Sequence, residues 1–294
     1  MKKKFKEIVD KGVHLGKNVL LMATNPSKGI LERIVPLLLV LTVALAFVVG
    51  ILWQKISTLE KSLQGSTETG AKQAAAQPTP PTVSLDQIKN LFKQDLIKFG
   101  DEKRKVLFVE VTDPSCPYCH AASGKDPELN REIDPTNGTF KLTTDGGTYL
   151  APVPEIKKLI DEGKASLVVI YQSGHGSGEL AMKALYCANE KGKYWPVNDL
   201  IMSNAGYNLI NNTVKNDPTQ VDKLTSFLKS AIDPTELKTC LTSGKYDGRI
   251  KSDAALATSL GISGTPGFYV NTTPFAGAYS FKDMESMVNA ALGK

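Results

Sequence analysis

Two adjoining stretches fix the architecture of this chain: Val106-Leu107-Phe108-Val109-Glu110-Val111 and, after Thr112, Asp113-Pro114-Ser115-Cys116-Pro117-Tyr118-Cys119-His120. The first is a short apolar run rich in β-forming residues, which predicts a central, buried strand. That strand leads the chain directly to two cysteines, and the segment that carries them should open a helix. Unpaired backbone N–H groups and the helix dipole stabilise an anion at a helix start, so we expect Cys116 to be an exposed thiolate with a lowered pKa.

The spacing of the cysteine pair predicts redox chemistry. Cys119 lies one helical turn further in and should be the shielded, resolving thiol. The two sulfurs can close a disulfide across that turn, and exchange then proceeds through a mixed disulfide. The same spacing supplies half of a four-ligand zinc site, but the other cysteines are isolated in sequence and the only histidines are His14, His120 and His175. Redox exchange is the favoured interpretation, with a zinc site and an inert structural bridge left as alternatives.

The N-terminal part predicts a membrane anchor. Residues 34–53 form an uncharged stretch long enough to cross a hydrocarbon core as a helix, and a cleaved signal peptide is the less favoured reading. Residues 1–33 carry eight basic and three acidic residues, which accounts for the whole net charge of +5. This basic tail favours a cytoplasmic N-terminus and contact with membrane lipid. The remainder is electrically neutral, which argues against nucleic acid as a partner.

The rest of the chain divides into a linker and one folded domain. Residues 54–83 predict a stalk that turns into a flexible linker rich in Gly, Ser, Thr, Ala, Gln and Pro. Residues 84–294 predict the domain. All four cysteines follow the predicted span, the distribution expected if this domain lies in an oxidising compartment outside the cytoplasm.

The domain shows the element order of an α/β sheet with a helical insertion at about residues 173–245. A first helix is predicted from the cap Ser84 through Phe99, with Gly100 as its stop. A second buried strand is predicted over 166–171, and a closing hairpin and a last helix follow the insertion. The glycine-rich run at 174–178 lacks a following Gly-Lys-Ser or Gly-Lys-Thr and is interpreted as a flexible strand-to-helix connection.

The domain resembles the DsbA-like branch of the thioredoxin superfamily. Three features carry the resemblance: Cys116-Pro117-Tyr118-Cys119 after a strand, Gly264-Thr265-Pro266-Gly267-Phe268-Tyr269-Val270-Asn271 near the end, and Cys187-Ala188-Asn189-Glu190-Lys191-Gly192-Lys193-Tyr194-Trp195 between them. The resemblance implies a thioredoxin-like fold in which Pro266 is a cis-proline facing the cysteines. Substrate is then expected to contact Thr265 and Pro266, together with Pro117 and Tyr118. The connection from Cys119 to Ser166 looks longer than is usual in this family, and its role is left open.

Other residues receive roles from their place in this pattern. Glu110 matches the buried acid that often helps to deprotonate the resolving cysteine in thioredoxin-like proteins, the alternative being a solvated carboxylate. His120 is expected to face solvent rather than to tune the cysteines. Cys187 and Cys240 are expected to form a structural disulfide, as in some DsbA-like proteins, with two separately buried thiols as the alternative.

Together these features predict an extracytoplasmic thiol-disulfide oxidoreductase, most simply a dithiol oxidase that introduces disulfides into exported polypeptides with free cysteines. The resemblance implies reoxidation by a membrane quinone-linked thiol oxidase of the DsbB or VKOR type. No cofactor and no metal are expected. A reductase or isomerase, and a non-catalytic peptide-binding chaperone module, remain as alternatives, because the motif alone does not set the direction of exchange.

Overall fold

The computed structural model describes residues 83–294, which are built on one mixed β-sheet. Its strands lie in the order β1-β3-β2-β4-β5, where β1 is Ile97–Phe99, β2 is Val106–Thr112, β3 is Ala165–Tyr171, β4 is Gly267–Val270 and β5 is Thr273–Ala276. β2 and β3 are parallel, and all other neighbours are antiparallel. Every residue of the two central strands is buried, as their apolar, β-branched sequences predict.

Helices cover both faces of the sheet. They are α1 (Leu85–Leu91), α2 (Pro117–Ser123), α3 (Pro127–Ile133), α4 (Pro152–Asp161), α5 (Glu179–Glu190), α6 (Tyr194–Ile201), α7 (Asn204–Asn208), α8 (Val221–Phe227), α9 (Pro234–Thr242), α10 (Asp247–Ser259) and α11 (Phe281–Leu292). A π-helical segment, Leu209–Val214, follows α7. Side chains of α1 and α10 form a core on one face, and those of α4, of the α5 to α9 block and of α11 form a larger core on the other. The predicted α/β fold with a helical insertion is confirmed.

The first helix is shorter than the sequence pattern indicates. Ser84 and Gln87 form the expected capping box, but α1 ends at Leu91. The predicted continuation through Phe99 is wrong, because Ile97–Phe99 pairs with β3 as an edge strand. Ile97 is buried by this pairing, and the Lys98 ammonium donates to the carbonyl oxygens that follow the helix. The cross-strand pairing therefore outweighs the helical spacing of the apolar residues.

A disulfide between Cys187 in α5 and Cys240 in α9 fastens two helices of the insertion, with a Cα–Cα distance of 6.1 Å. The closed loop spans 53 positions and contains most of the insertion. Closing a loop of this length stabilises the folded chain by about 4 kcal/mol in the chain-entropy model.

No helix within residues 83–294 combines the length and the apolar character needed to cross a membrane. The predicted basic tail at 1–33 and the predicted transmembrane helix at 34–53 lie outside the described residues, as does nearly all of the predicted linker.

Candidate active site

The cysteine pair lies at the point where β2 gives way to α2. The turn is closed by a hydrogen bond from the Cys116 N–H to the carbonyl oxygen of Asp113, 2.9 Å away. Cys116 is the N-cap residue of α2, and Pro117 takes the first helical position, where a missing N–H costs nothing. The N–H of Cys119 donates back to the carbonyl oxygen of Cys116 over 3.1 Å. Both thiols are free.

The two thiols differ sharply in acidity. The pKa of Cys116 is lowered from 9.0 to about 6, chiefly because the Cys119 thiol donates to its sulfur. Burial opposes this effect, while Thr265, the Cys119 backbone N–H and the charge of His175 add to it. Burial raises the pKa of Cys119 well above its ordinary value, and the neighbouring Cys116 sulfur raises it further. At neutral pH the pair therefore consists of one thiolate and one thiol, an arrangement suited to exchange.

The predicted exposure of Cys116 is wrong. Its side chain has no accessible surface in the reduced protein, because it lies beneath the loop that precedes β4. The Cys116 thiol can donate to the carbonyl oxygen of Thr265, 3.3 Å from the sulfur. Tyr118, which is 41% exposed, is the most accessible side chain of the motif. A substrate must therefore displace the Thr265 contact to reach the sulfur.

The Thr265-Pro266 peptide bond is cis. The position of this bond follows from the sheet, because β4 runs antiparallel to β2 and Gly267 pairs with Val111. The loop that enters β4 thus lies at the end of β2 from which the cysteine turn departs. Sequence elements separated by about 150 positions meet here, where the Thr265 carbonyl oxygen contacts Cys116 Sγ.

Glu110 is a buried residue of β2, three positions before Asp113, where the cysteine turn begins. It is 5% exposed, and burial raises its pKa from 4.5 to about 7, an effect that the Thr112 hydroxyl partly offsets. A carboxyl group with this pKa changes protonation state near neutral pH, as a buried proton donor and acceptor requires.

Asp113 is a site residue that the sequence analysis missed. Its buried carboxylate accepts hydrogen bonds from the N–H groups of Gly174 and His175, at 2.7 and 2.9 Å, and from the Ser115 N–H and hydroxyl, both at 2.8 Å. These bonds tie residues 174–178, here called the glycine loop, to the cysteine turn. A Cβ atom on Gly178 would lie 1.8 Å from Asp113 Oδ1. The glycine loop therefore packs closely against the cysteine turn and forms one side of the site. The sequence signal that could have indicated this contact is the run of small residues after β3.

His120 does not face solvent, contrary to the prediction. It is fully buried, with Nδ1 3.0 Å from the Met202 carbonyl oxygen and Nε2 2.9 Å from the Pro114 carbonyl oxygen. Burial lowers its pKa, while both carbonyls favour its protonated form. His120 therefore connects the cysteine turn to the end of α6, and its role is positional.

The long connection between Cys119 and β3 places a row of aromatic rings beside the motif, of which Tyr118 and Phe140 are accessible and Tyr149 is buried. The ring of Tyr118 meets Phe140 edge-on at 5.6 Å, and Phe140 meets Tyr149 edge-on at 5.4 Å. We call these three side chains the aromatic strip. Phe140 and Tyr149 line a cavity of about 410 Å³, whose other wall is formed by residues 278–283 at the start of α11.

The cysteine pair has no third metal-ligating neighbour in this part of the chain. Across residues 83–294, His, Cys, Asp and Glu side chains do not gather in any group of three or more that could hold a metal ion.

The comparisons with known proteins agree with this geometry. A thioredoxin family model matches residues 153–290, a stretch that begins after the cysteine motif and includes the cis-proline. Among solved structures, alpha-DsbA2 from Wolbachia pipientis is 19% identical, with a TM-score of 0.50 and coverage of 70% of this chain and 92% of that protein. A double cysteine-to-alanine variant of alpha-DsbA1 from the same organism is 17% identical, with a TM-score of 0.51 and coverage of 72% and 96%. Oxidised BdbD from Bacillus subtilis is 19% identical, with a TM-score of 0.49 and coverage of 68% and 94%.

Among curated proteins, the Na(+)/H(+) antiporter NhaA 3 of Salinispora tropica is 22% identical over 192 residues. That match covers 65% of this chain, but the chain spans only 24% of the antiporter's length. Residues 153–290 match the thioredoxin family model, and residues 83–294 share the fold of the alpha-DsbA2 and alpha-DsbA1 structures.

Proposed function

We propose that this chain is a membrane-anchored, extracytoplasmic thiol-disulfide oxidoreductase that works as a dithiol oxidase on exported polypeptides. The observation that carries the proposal is the lowered pKa of Cys116, about 6, above a buried Cys119 thiol. Stabilising the thiolate stabilises the reduced pair. The disulfide between Cys116 and Cys119 is then readily reduced, so it oxidises other dithiols.

The oxidation consists of two exchange steps. A substrate thiolate attacks Cys116 Sγ of the oxidised pair, the bond between the two protein sulfurs breaks, and Cys119 leaves and takes up a proton. A second substrate thiolate then attacks the substrate sulfur of the mixed disulfide, and Cys116 leaves as a thiolate. The substrate gains a disulfide, and the protein retains both electrons as a dithiol. A membrane thiol oxidase of the DsbB or VKOR type returns the pair to its oxidised state.

The substrate segment next to the reacting cysteine lies over Tyr118 and against Phe140, the two accessible rings of the aromatic strip, since Tyr149 is only 3% exposed. These two ring centres are 5.6 Å apart, which matches roughly two residues of extended peptide. Polar backbone is available at the same place, since the Thr265 carbonyl oxygen is freed when a substrate sulfur displaces its contact with Cys116.

The aromatic strip can be tested with Phe140→Ala. We expect KM for a dithiol peptide to rise about tenfold with kcat unchanged, because ring contacts with the substrate are lost but the sulfurs are untouched. Leu85→Ala is the matched control, since Leu85 is 40% exposed on α1 and takes no part in the strip. Equal KM values for the two variants would exclude the strip as the peptide site.

The anchor and the location are tested in intact cells. Residues 34–53 supply the proposed membrane helix. The chain should remain in the membrane fraction after carbonate washing, and protease added outside the cytoplasmic membrane should digest the cysteine domain. A chain released by carbonate, or a protected domain, would contradict the anchored, extracytoplasmic arrangement.

The oxidase mechanism is tested by trapping. Cys119→Ala should accumulate mixed disulfides between Cys116 and exported proteins, because the competing attack of Cys119 is removed. Cys116→Ser is the control and should accumulate none. An exported, folded Cys119→Ala variant without mixed disulfides would refute the mechanism.

The direction of exchange is measured separately. The equilibrium of the pair with glutathione should lie toward the strongly oxidising end of the range found in thioredoxin-like proteins. A value close to that of thioredoxin would instead assign the chain to disulfide reduction.

A further inference from the structure

The π-helical segment Leu209–Val214 of the insertion is followed by an unusual backbone conformation. The next two residues, Lys215 and Asn216, both have positive φ angles, 46° and 62°. This left-handed region is unfavourable for residues other than glycine, and two such residues in succession persist only where surrounding contacts hold them. Within the segment, the side-chain amide of Asn211 donates to the carbonyl oxygen of Ser115, 3.2 Å away. The segment is therefore fixed to the cysteine turn.

The amide of Asn216 connects the glycine loop to the start of α5. Its Nδ2 donates to the Gly176 carbonyl oxygen over 2.7 Å, and its Oδ1 accepts from the Leu180 N–H over 3.1 Å. Leu180 is the second residue of α5, so this oxygen takes the place of an N-cap side chain. The N-cap residue itself is Gly178, where a Cβ atom would lie 1.8 Å from Asp113 Oδ1. A distant asparagine thus supplies the cap that the close packing against Asp113 rules out.

The glycine loop also packs against Thr265. A Cβ atom on Gly174 would lie 2.1 Å from Thr265 Oγ1, so the backbone of the loop is in contact with that side chain. The carbonyl oxygen of Thr265 contacts Cys116 Sγ, and Cys116 has no accessible surface. An incoming sulfur that displaces Thr265 must therefore also disturb its packing on the glycine loop. A firmly held loop makes that displacement harder.

The side chains that hold the glycine loop come from two parts of the protein. Asp113 and Ser115 bond to N–H groups of the loop, and both belong to the cysteine turn. Asn216 bonds to a carbonyl oxygen of the loop and belongs to the helical insertion. The contact of Asn216 therefore determines how the loop is held relative to the insertion.

We propose that Asn216 is a positioning residue that restricts access to Cys116, because it fixes the glycine loop against Thr265 and so keeps Thr265 in contact with the sulfur. This inference rests on the proposed thiol-disulfide exchange at the same pair. A substrate peptide gains contacts that offset the displacement of Thr265, whereas a small thiol or disulfide does not. Asn216 thus favours polypeptides over small sulfur compounds.

The test measures alkylation of the reduced full-length protein, purified in detergent, by iodoacetamide at pH 8. The pKa of Cys116 is about 6, so its thiol is ionised at this pH and the rate reports access to the sulfur. Mass spectrometry of the digested protein gives separate rates for Cys116 and Cys119. Asn216→Asp removes the donor to the Gly176 carbonyl oxygen but keeps an acceptor for the Leu180 N–H.

We expect Asn216→Asp to raise the alkylation rate of Cys116 about fivefold, the factor that corresponds to one lost hydrogen bond. The rate for Cys119 should stay unchanged. General loosening of the fold would expose both sulfurs, so Cys119 is an internal control. The free energy of unfolding should stay close to that of the wild type, because a carboxylate remains a good cap at a helix start. A role confined to capping α5 predicts no change in access.

Two control variants match the change in charge and in backbone. Asn212→Asp adds the same charge in the same segment, at an exposed side chain that donates to Asn208. Lys215→Gly relaxes the neighbouring left-handed residue. Both should alkylate within about twofold of the wild type, as surface substitutions do.

Asn216→Gly is the second test variant. It removes the amide, while glycine adopts the same backbone conformation freely, and the increase should equal that of Asn216→Asp. A folded variant of either kind that reacts no faster than the controls, or equal acceleration of Cys116 and Cys119 in both, would overturn the proposal.

This experiment is separate from the tests of the proposed function. Iodoacetamide reacts with a thiolate whether or not the pair exchanges disulfides with polypeptides. Absence of trapped mixed disulfides in cells would therefore refute the oxidase role alone, while unchanged alkylation of Asn216→Asp would refute the positioning role alone.

Discussion

Replacing Glu110 with glutamine should make the protein more stable at alkaline pH. Burial raises the Glu110 pKa from 4.5 to about 7, so the folded state resists ionisation of a carboxyl group that ionises freely in the unfolded chain. The gap between these two values corresponds to a penalty of about 3 kcal/mol when the carboxyl group is fully ionised. Glutamine keeps the shape of the neutral carboxyl group and never carries the charge.

The sign of the pH dependence follows from the raised pKa. Below pH 4.5 the carboxyl group is protonated in both states, and wild type and Glu110→Gln should differ only by a constant offset. As the pH rises from 4.5 through about 7, the unfolded state loses its proton first, and the wild type is progressively destabilised. Above pH 7 the difference should level off about 3 kcal/mol away from that offset, in favour of the variant.

The assay is urea unfolding of the two full-length proteins between pH 4 and pH 9, with the Cys116/Cys119 pair reduced. Other titrating groups, the Cys116 thiolate among them, cancel in the difference between the proteins. In a domain of this size, such a difference amounts to a midpoint shift of roughly 6 to 12 °C in thermal unfolding. A difference that stays flat from pH 4 to pH 9 would show that Glu110 is not a buried acid with a raised pKa, and the reasoning about its role would fail.

Three further predictions concern the cysteines and the glycine loop. The rate of Cys116 alkylation by iodoacetamide should show an inflection at about pH 6. Cys119→Ala should move this inflection to higher pH, because the Cys119 thiol is the main cause of the low pKa of Cys116. An inflection near pH 9 in the wild type would contradict the lowered pKa. Replacing Cys187 and Cys240 together by alanine should lower the free energy of unfolding by about 4 kcal/mol in urea titrations, and an unchanged midpoint would refute the stabilising role of the bridge. Gly178→Ala should lower the free energy of unfolding by about 2 kcal/mol, because the new Cβ would displace the Asp113 carboxylate. The control Gly248→Ala, whose Cβ would have nothing within 4 Å, should not lower it. Equal stabilities of the two variants would contradict the close packing of the glycine loop against Asp113.

The central part of the fold was predictable because its signals are local. β2 and β3 are apolar runs of strand length, and the turn after β2 carries the cysteine pair. The first helix was overextended because one stretch satisfies both helical and strand spacing. Only the pairing of Ile97 with Val169, far away in sequence, decides between them.

The details of the site were less predictable, because they depend on contacts between distant segments. Cys116 contacts the carbonyl oxygen of Thr265, and His120 contacts that of Met202. The role of Asp113 appears only when the chain returns after β3 and presents two N–H groups to its carboxylate. In each case the residue type was visible in the sequence, while its partner was set by the topology of the sheet.

The hydrogen bonds between Asp113 and the glycine loop also determine where the helical insertion can be exchanged for that of another protein. The helical insertion begins at Glu179, directly after the loop, so a chimaera that exchanges the α5 to α9 block for that of another protein is joined at this seam. A graft that keeps residues 174–178 preserves the N–H groups that Asp113 requires. A graft that does not present N–H groups at these positions leaves the buried Oδ2 of Asp113 without donors, because the Ser115 bonds reach only Oδ1, and such a chimaera should fold poorly however well its helices pack.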